Sequence, residues 1–155
     1  MSKAKPVKKA KPAAGKQQYA ALPIRVRQGG VLEVLLLTSR DTGRWIIPKG
    51  WPGRRLTARA AAAREAFEEA GIEGIIQPPG PVGRYHYAKR LDIGEVRITV
   101  KVFLLHVERQ LDTWPEKTER ETRWLSPEQA ASMVDEPELA AILLSARDLA
   151  GWAGS

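Results

Sequence analysis

The chain has 155 residues, no cysteine and a formal net charge of +7. This length suits one domain with its own core, and the lack of cysteine excludes disulfides and thiolate metal sites. Because no apolar run approaches the roughly 18 residues of a membrane span and the N-terminus lacks the apolar core of a secretory signal, we expect a soluble cytoplasmic protein with no membrane partner.

The positive charge is concentrated at the N-terminus. Residues 1–19 contain six lysines and no acidic residue, which leaves 19 basic and 18 acidic residues in the rest of the chain. We predict a disordered basic tail over residues 1–18 and a folded domain over residues 19–155. The tail either solubilises the protein or makes weak, salt-screened contacts with polyanions.

Strand signals fill the first part of the predicted domain. Apolar residues alternate over residues 20–26, which predicts a strand with one buried face, and the dense apolar run over residues 31–38 predicts a buried strand. Gly29-Gly30 supplies the turn between them. A short strand over residues 44–47 ends at Pro48, because proline cannot donate to a central strand.

A glycine-rich loop over residues 49–56 leads into a strongly helical segment over residues 58–70. Thr57 is a suitable N-cap, and Gly71 occupies the usual position just past the helix. The expected docking face of this helix is an apolar stripe made of Ala60, Ala63, Phe67 and Ala70.

Strands and then helices follow. The patterns predict strands over residues 72–76, 82–87, 95–107 and 123–125, and helices over residues 126–134 and 137–149. Strands, a helix, more strands and closing helices indicate an α+β fold with a mixed β-sheet between helices, an α/β/α sandwich.

Three carboxylates lie close together on the first predicted helix. At about 100° per residue, Glu65, Glu68 and Glu69 fall within an arc of roughly 100°. Three like charges on one face repel each other unless water or a cation neutralises them, and Mg²⁺ prefers carboxylate and phosphate oxygens. An ordinary solvated glutamate face is the alternative. Arg64 lies at the i,i+4 spacing that suits an ion pair with Glu68.

The loop and helix together resemble the Nudix box of the Nudix hydrolases. The box runs from a glycine through an early Glu to Arg-Glu, then Glu-Glu, then glycine and an apolar residue. The chain places Gly50, Arg64, Glu65, Glu68, Glu69, Gly71 and Ile72 in register. Leu56 replaces the early Glu, which in the family braces the loop, so the replacement affects loop rigidity more than metal binding.

The resemblance implies a Nudix-type sandwich and roles for individual residues. Mg²⁺, or Mn²⁺ in its place, is expected on the Gly50 carbonyl, Glu65 and Glu69. Glu68 would be a further ligand or the general base, with Arg64 beside it in the catalytic set. Some family members take the base from a later loop, where Glu119 is the leading candidate and Glu116 and Glu121 are its neighbours.

Residues 38–48 resemble the diphosphoinositol polyphosphate phosphohydrolase branch, which also cleaves diadenosine polyphosphates. The Gly50-Trp51-Pro52 loop resembles bacterial relatives of that branch. A small, highly phosphorylated substrate is therefore expected, and the alternatives are an RNA 5′ pyrophosphohydrolase, a nucleotide-sanitising enzyme or a silent nucleotide-binding module. The candidate substrate-binding residues are Arg25, Arg40, Lys49, Trp51, Arg54 and Arg97.

Overall fold

The computed structural model describes residues 16–151, and this part of the chain forms eight strands and four helices. The strands and helices alternate in the order that the sequence predicts. Their bounds are β1 Gln17–Arg27, β2 Val31–Thr38, β3 Trp45–Ile46, β4 Lys49–Gly50, α1 Ala58–Ala70, β5 Ile72–Ile76, β6 Gly83–Leu91, β7 Gly94–Gln110, β8 Thr122–Leu125, α2 Pro127–Met133, α3 Pro137–Leu144 and α4 Ala146–Leu149.

The strands form one mixed sheet around a central parallel pair, β1 and β7. The other edge of β7 pairs antiparallel with β6 along its first half and with β5 along its second half. β1 also pairs with β2 and with the short β4, and β2 carries β3 and β8. One core lies between the sheet and α2 to α4, and another between the sheet and α1. The predicted α/β/α sandwich is confirmed.

Helix α1 is bounded by the two caps that the sequence indicates. The Thr57 side chain accepts a hydrogen bond from the Ala60 backbone N–H, and Gly71 ends the helix in the left-handed region at φ 70°. The predicted docking stripe is only partly right, because Ala70 is in the core and Ala63 packs against it, but Ala60 and Phe67 do not belong to it. The core contains Ala62, Ala66 and Ala70, which share one face at i,i+4 spacing. Phe67 is only half-buried, because the small alanines let the helix backbone approach the sheet more closely.

Three boundaries differ from expectation. β1 begins at Gln17, two residues before the predicted start of the domain, and residues 1–15 of the predicted tail lie outside the described part of the chain. Lys49–Gly50, predicted as loop, pairs with β1 as β4. The single predicted C-terminal helix is divided into α3 and α4 at Ser145, whose ψ of 3° departs from helical geometry. Within residues 16–151, no helix is long and apolar enough to cross a membrane.

Candidate active site

The glycine that opens the loop touches a carboxyl group of helix α1. A Cβ atom built on Gly50 would lie 2.4 Å from the Glu65 Cδ atom and 2.5 and 2.6 Å from its carboxyl oxygens. Any larger residue at position 50 would therefore displace the Glu65 carboxyl group. Because β4 pairs with β1, Gly50 is fixed in the sheet. Its contact with Glu65 therefore keeps the Glu65 carboxyl oxygens next to the β4 backbone.

Glu69 lies one helical turn further along and is almost fully buried, at 4% exposure. Its Oε1 atom lies 3.4 Å from the Lys49 backbone nitrogen, which donates to it. Burial raises the pKa of Glu69 to about 8, and burial likewise raises the pKa of the neighbouring Glu65. Burial therefore disfavours the charged form of both carboxyl groups.

Residues 111–121 form the next wall of the site by wrapping around the C-terminal end of α1. The Glu116 N–H donates to the Glu68 carbonyl at 3.0 Å, and the Trp114 ring packs against Gly71. These contacts bring the Glu116 carboxylate and the Arg120 guanidinium into the same cleft as Glu65. Glu116 and Arg120 form an ion pair with an N···O distance of 2.9 Å.

Cations from outside helix α1 also line the cleft. Arg40, Lys49 and Lys89 all reach it. The Lys49 Nζ atom lies 4.5 Å from the centre of the Tyr87 ring, and burial lowers the pKa of Lys49 to about 8. An anion that binds beside a buried ammonium group stabilises its charged form. Lys49 is therefore suited to contact a phosphate group.

The cleft has a volume of about 410 Å³, and two large apolar side chains contribute to its lining. Trp51 and Leu56 line it and remain 39% and 38% exposed. Leu56 also packs against the loop, because a Cβ atom on Gly53 would lie 2.7 Å from its Cδ1 atom. The cleft thus combines a carboxyl pair, a cationic wall and an exposed aromatic ring at its rim.

The donor set fits a hard divalent cation. Two neighbouring carboxyl groups whose charged forms are disfavoured by burial are stabilised by a cation that neutralises them. Within residues 16–151 no three His, Cys, Asp or Glu side chains converge into a metal-binding group. Mg²⁺ does not require one, since it is commonly held by one or two carboxylates together with water and substrate phosphate oxygens. Glu65, Glu69 and the Gly50 carbonyl would hold the ion.

Comparison with known proteins identifies the family of the chain. The NUDIX domain family model matches residues 16–144, which is most of the chain. The chain belongs to the Nudix family. Among curated relatives, it is 34% identical over 113 residues to Nudix hydrolase 16, mitochondrial, of Arabidopsis thaliana, covering 70% of this chain and 62% of that protein. It is 30% identical over 125 residues to Nudix hydrolase 21, chloroplastic, of the same plant, covering 76% and 59%.

Solved structures share the Nudix fold at low sequence identity. The Caenorhabditis elegans Ap4A hydrolase binary complex superposes with a TM-score of 0.64 at 22% identity, covering 87% of this chain and 98% of that one. The NUDIX domain of Shewanella oneidensis NrtR, complexed with ADP-ribose, gives 0.62 at 15% identity, covering 90% and 92%. At these identities the likeness shows the fold alone. The chain spans about three fifths or less of the curated relatives it matches.

The Nudix box residues are not equivalent in this structure. Glu65 and Glu69 line the cleft, whereas Glu68 lies on the neighbouring face of α1, outside the cleft lining. Its Oε2 atom accepts a hydrogen bond from the Nε atom of Arg64 at 2.9 Å, as the i,i+4 spacing predicts. The three carboxylates therefore differ in exposure, because packing against the sheet buries Glu69 and leaves the Glu68 side chain 31% exposed.

The predicted substrate-binding residues are only partly assembled. Arg40, Lys49 and Trp51 line the cleft. Three others are absent from its lining, as is the candidate base Glu119. Arg25 pairs with Glu33 and stacks on the Trp124 ring. Arg54 is exposed on the loop, and Arg97 borders a separate shallow pocket beside His86 and Glu138. Glu119 pairs with Arg40 at 2.7 Å.

Sequence reasoning missed Arg120 and did not single out Glu116 among its neighbours. The signal for Arg120 was present, since Glu116 and Arg120 stand at the i,i+4 spacing of an ion pair. That spacing carried little weight because residues 111–121 read as an exposed loop. Only the contact of this loop with α1 shows that the pair faces the cleft.

Proposed function

We propose that the chain is a Mg²⁺-dependent pyrophosphohydrolase that cleaves a phosphoanhydride bond in a dinucleoside polyphosphate such as diadenosine tetraphosphate. The observation that carries the proposal is the Glu65–Glu69 carboxyl pair, with Glu65 packed against Gly50, in a cleft that Arg40, Lys49 and Lys89 also line. The carboxyl pair suits a divalent ion, and the cationic wall suits the phosphates that such an ion accompanies.

The charge around the cleft favours a nucleotide over an inositol pyrophosphate. Arg40 is paired with Glu119, and Lys89 lies 3.8 Å from Asp41, so carboxylates already balance much of the cationic wall. Arg25 and Arg97, which would enlarge the basic rim, are absent from the cleft lining. A densely charged inositol substrate would need more unpaired cations than this cleft offers.

The chain's own residues would then divide the work. Lys49 and Arg40 bind and orient the phosphates, and Trp51 offers a ring on which a nucleobase can stack. When bound, a magnesium ion supplies Lewis-acid stabilisation of charge on the phosphoryl oxygens. Glu116, whose carboxylate is oriented by Arg120 at 2.9 Å, accepts the proton of the attacking water.

The test is a panel of turnover assays with diadenosine tetraphosphate, a diphosphoinositol phosphate and 5′-triphosphorylated RNA, each with Mg²⁺ and with EDTA. We expect Mg²⁺-dependent release of nucleotides from diadenosine tetraphosphate. Turnover of the RNA or the inositol phosphate alone would reassign the substrate. No turnover of any compound, with nucleotide binding retained, would identify a silent binding module.

The base assignment needs its own variants. We expect Glu116→Gln to lower kcat by roughly 10²-fold, the scale of lost general-base catalysis, with little change in KM. Glu121→Gln is the matched control, because Glu121 is close in sequence but pairs with Arg123, and neither residue lines the cleft. A loss confined to Glu68→Gln would instead give the role to Glu68.

A further inference from the structure

Arg120 is a buried cation held by acceptors from three parts of the fold. Its side chain is only 8% exposed. The Nε atom donates to Glu116 Oε1 at 2.9 Å, Nη1 donates to the Thr38 carbonyl at 3.1 Å, and Nη2 lies 3.5 Å from Glu69 Oε2. Burying a guanidinium is costly unless its donors are used and its charge is balanced. Arg120 meets both conditions in the free protein.

The contact with Glu69 differs from the other two. At 3.5 Å it is an ion pair beyond the usual N–H···O hydrogen-bond distance, whereas the contacts with Glu116 and Thr38 have ordinary hydrogen-bond lengths. Arg120 can therefore release Glu69 and still keep two good hydrogen bonds. Glu69 is also one of the two carboxyl groups that the proposed function assigns to the metal ion.

A guanidinium and a divalent cation beside one carboxylate oppose each other in two ways. They compete for the same oxygen atoms, and their positive charges repel each other with little screening, because Glu69 and Arg120 are both buried. A residue that stabilises only the ion-free site must weaken ion binding by the same factor, since the two equilibria are linked.

On the basis of the proposed function, we propose two roles for Arg120. It is the counter-ion of Glu69 when no metal ion is bound, and it is the positioning residue of Glu116. When a divalent ion binds, Arg120 gives up Glu69 and keeps Glu116 and Thr38. Arg120 therefore stabilises the empty site, weakens metal affinity and holds the Glu116 carboxylate at the cleft in both states.

The test compares metal affinity and stability in three variants. Arg120→Met removes the positive charge. Arg120→Lys keeps the charge but lacks the planar set of guanidinium N–H donors. Arg123→Met, the control, removes a nearby cation that pairs with Glu121. We expect Arg120→Met to bind Mn²⁺ roughly ten-fold more tightly in calorimetry and to melt at a lower temperature in EDTA, with much of that loss recovered in saturating Mg²⁺. Arg120→Lys and Arg123→Met should stay within about three-fold of wild-type affinity.

The outcomes separate the inference from the function on which it rests. Unchanged or weaker Mn²⁺ binding by folded Arg120→Met would overturn the counter-ion role, because a purely structural arginine would not tighten metal binding when removed. If that variant does not fold, the ¹⁵Nε resonance of Arg120 in the wild-type protein decides: it should shift on Mg²⁺ saturation, and an unmoved resonance overturns the role. Absence of metal uptake by the wild-type protein would instead refute the proposed function.

Discussion

Replacing Glu69 by glutamine should stabilise the metal-free protein at alkaline pH. Burial raises the pKa of Glu69 from about 4.5 to about 8, so the folded chain keeps a proton that the unfolded chain loses above pH 4.5. This contribution to stability is fully present below pH 4.5 and is lost as pH rises to about 8. The difference between the two pKa values corresponds to at most about 5 kcal/mol of unfolding free energy. This is an upper bound, because Glu65 and Glu69 titrate together and the shift belongs to the pair.

The Glu69→Gln change removes the charge and keeps a polar side chain of the same size. Arg120 would lose one ion pair and keep its hydrogen bonds to Glu116 and Thr38. In urea unfolding with EDTA at pH 8.5, we therefore expect Glu69→Gln to be more stable than wild type by roughly 1 to 4 kcal/mol, with a smaller difference at pH 5.

Magnesium should reverse the order. It should raise the stability of the wild-type protein at pH 8.5 and leave Glu69→Gln nearly unchanged, because the variant lacks the anionic ligand. The prediction fails if Glu69→Gln is less stable than wild type in EDTA, or if its unfolding free energy depends on pH as the wild-type value does. Either result would show that the charged form of Glu69 does not destabilise the metal-free protein.

Three further variants test other parts of the site. Gly50→Ala should weaken Mg²⁺ binding by roughly ten-fold in calorimetry, with only a small loss of melting temperature, because the added Cβ displaces the flexible end of Glu65. Trp51→Ala should raise KM for diadenosine tetraphosphate by about five-fold or more and leave KM for inorganic triphosphate nearly unchanged. Thr57→Ala should lower the unfolding free energy by about 1 kcal/mol, measured in urea, because it removes the α1 cap on Ala60.

Local sequence signals were sufficient for most of the fold. The caps of α1, the buried strand β2 and the alternation along β7 each depend on neighbouring residues in the chain, and all three are confirmed. The site was less predictable, because it depends on which face of α1 meets the sheet. Helical periodicity places Glu65, Glu68 and Glu69 together, but only the packing of Ala62 and Ala66 determines that Glu69 is buried and Glu68 is not.

Substrate-binding residues were harder still, because a cation's role depends on partners distant in sequence. Arg25 is directed away by the cross-strand Glu33 and by the Trp124 ring, which follows in the chain almost a hundred residues later. Glu119 is similarly occupied by Arg40, which lies 79 residues earlier. Neither pairing leaves a signal in the local pattern.

Leu56 shows how the loop keeps its shape without the early glutamate of the Nudix box. Its side chain packs on Gly53, where any Cβ atom would collide with it, so a close apolar contact braces the turn. Arg64 is then committed to Glu68 and does not tie the loop to the helix. Because Leu56 also lines the cleft beside the exposed Trp51, the substitution makes the mouth less polar. One residue thus braces the loop and adds apolar surface to the cleft.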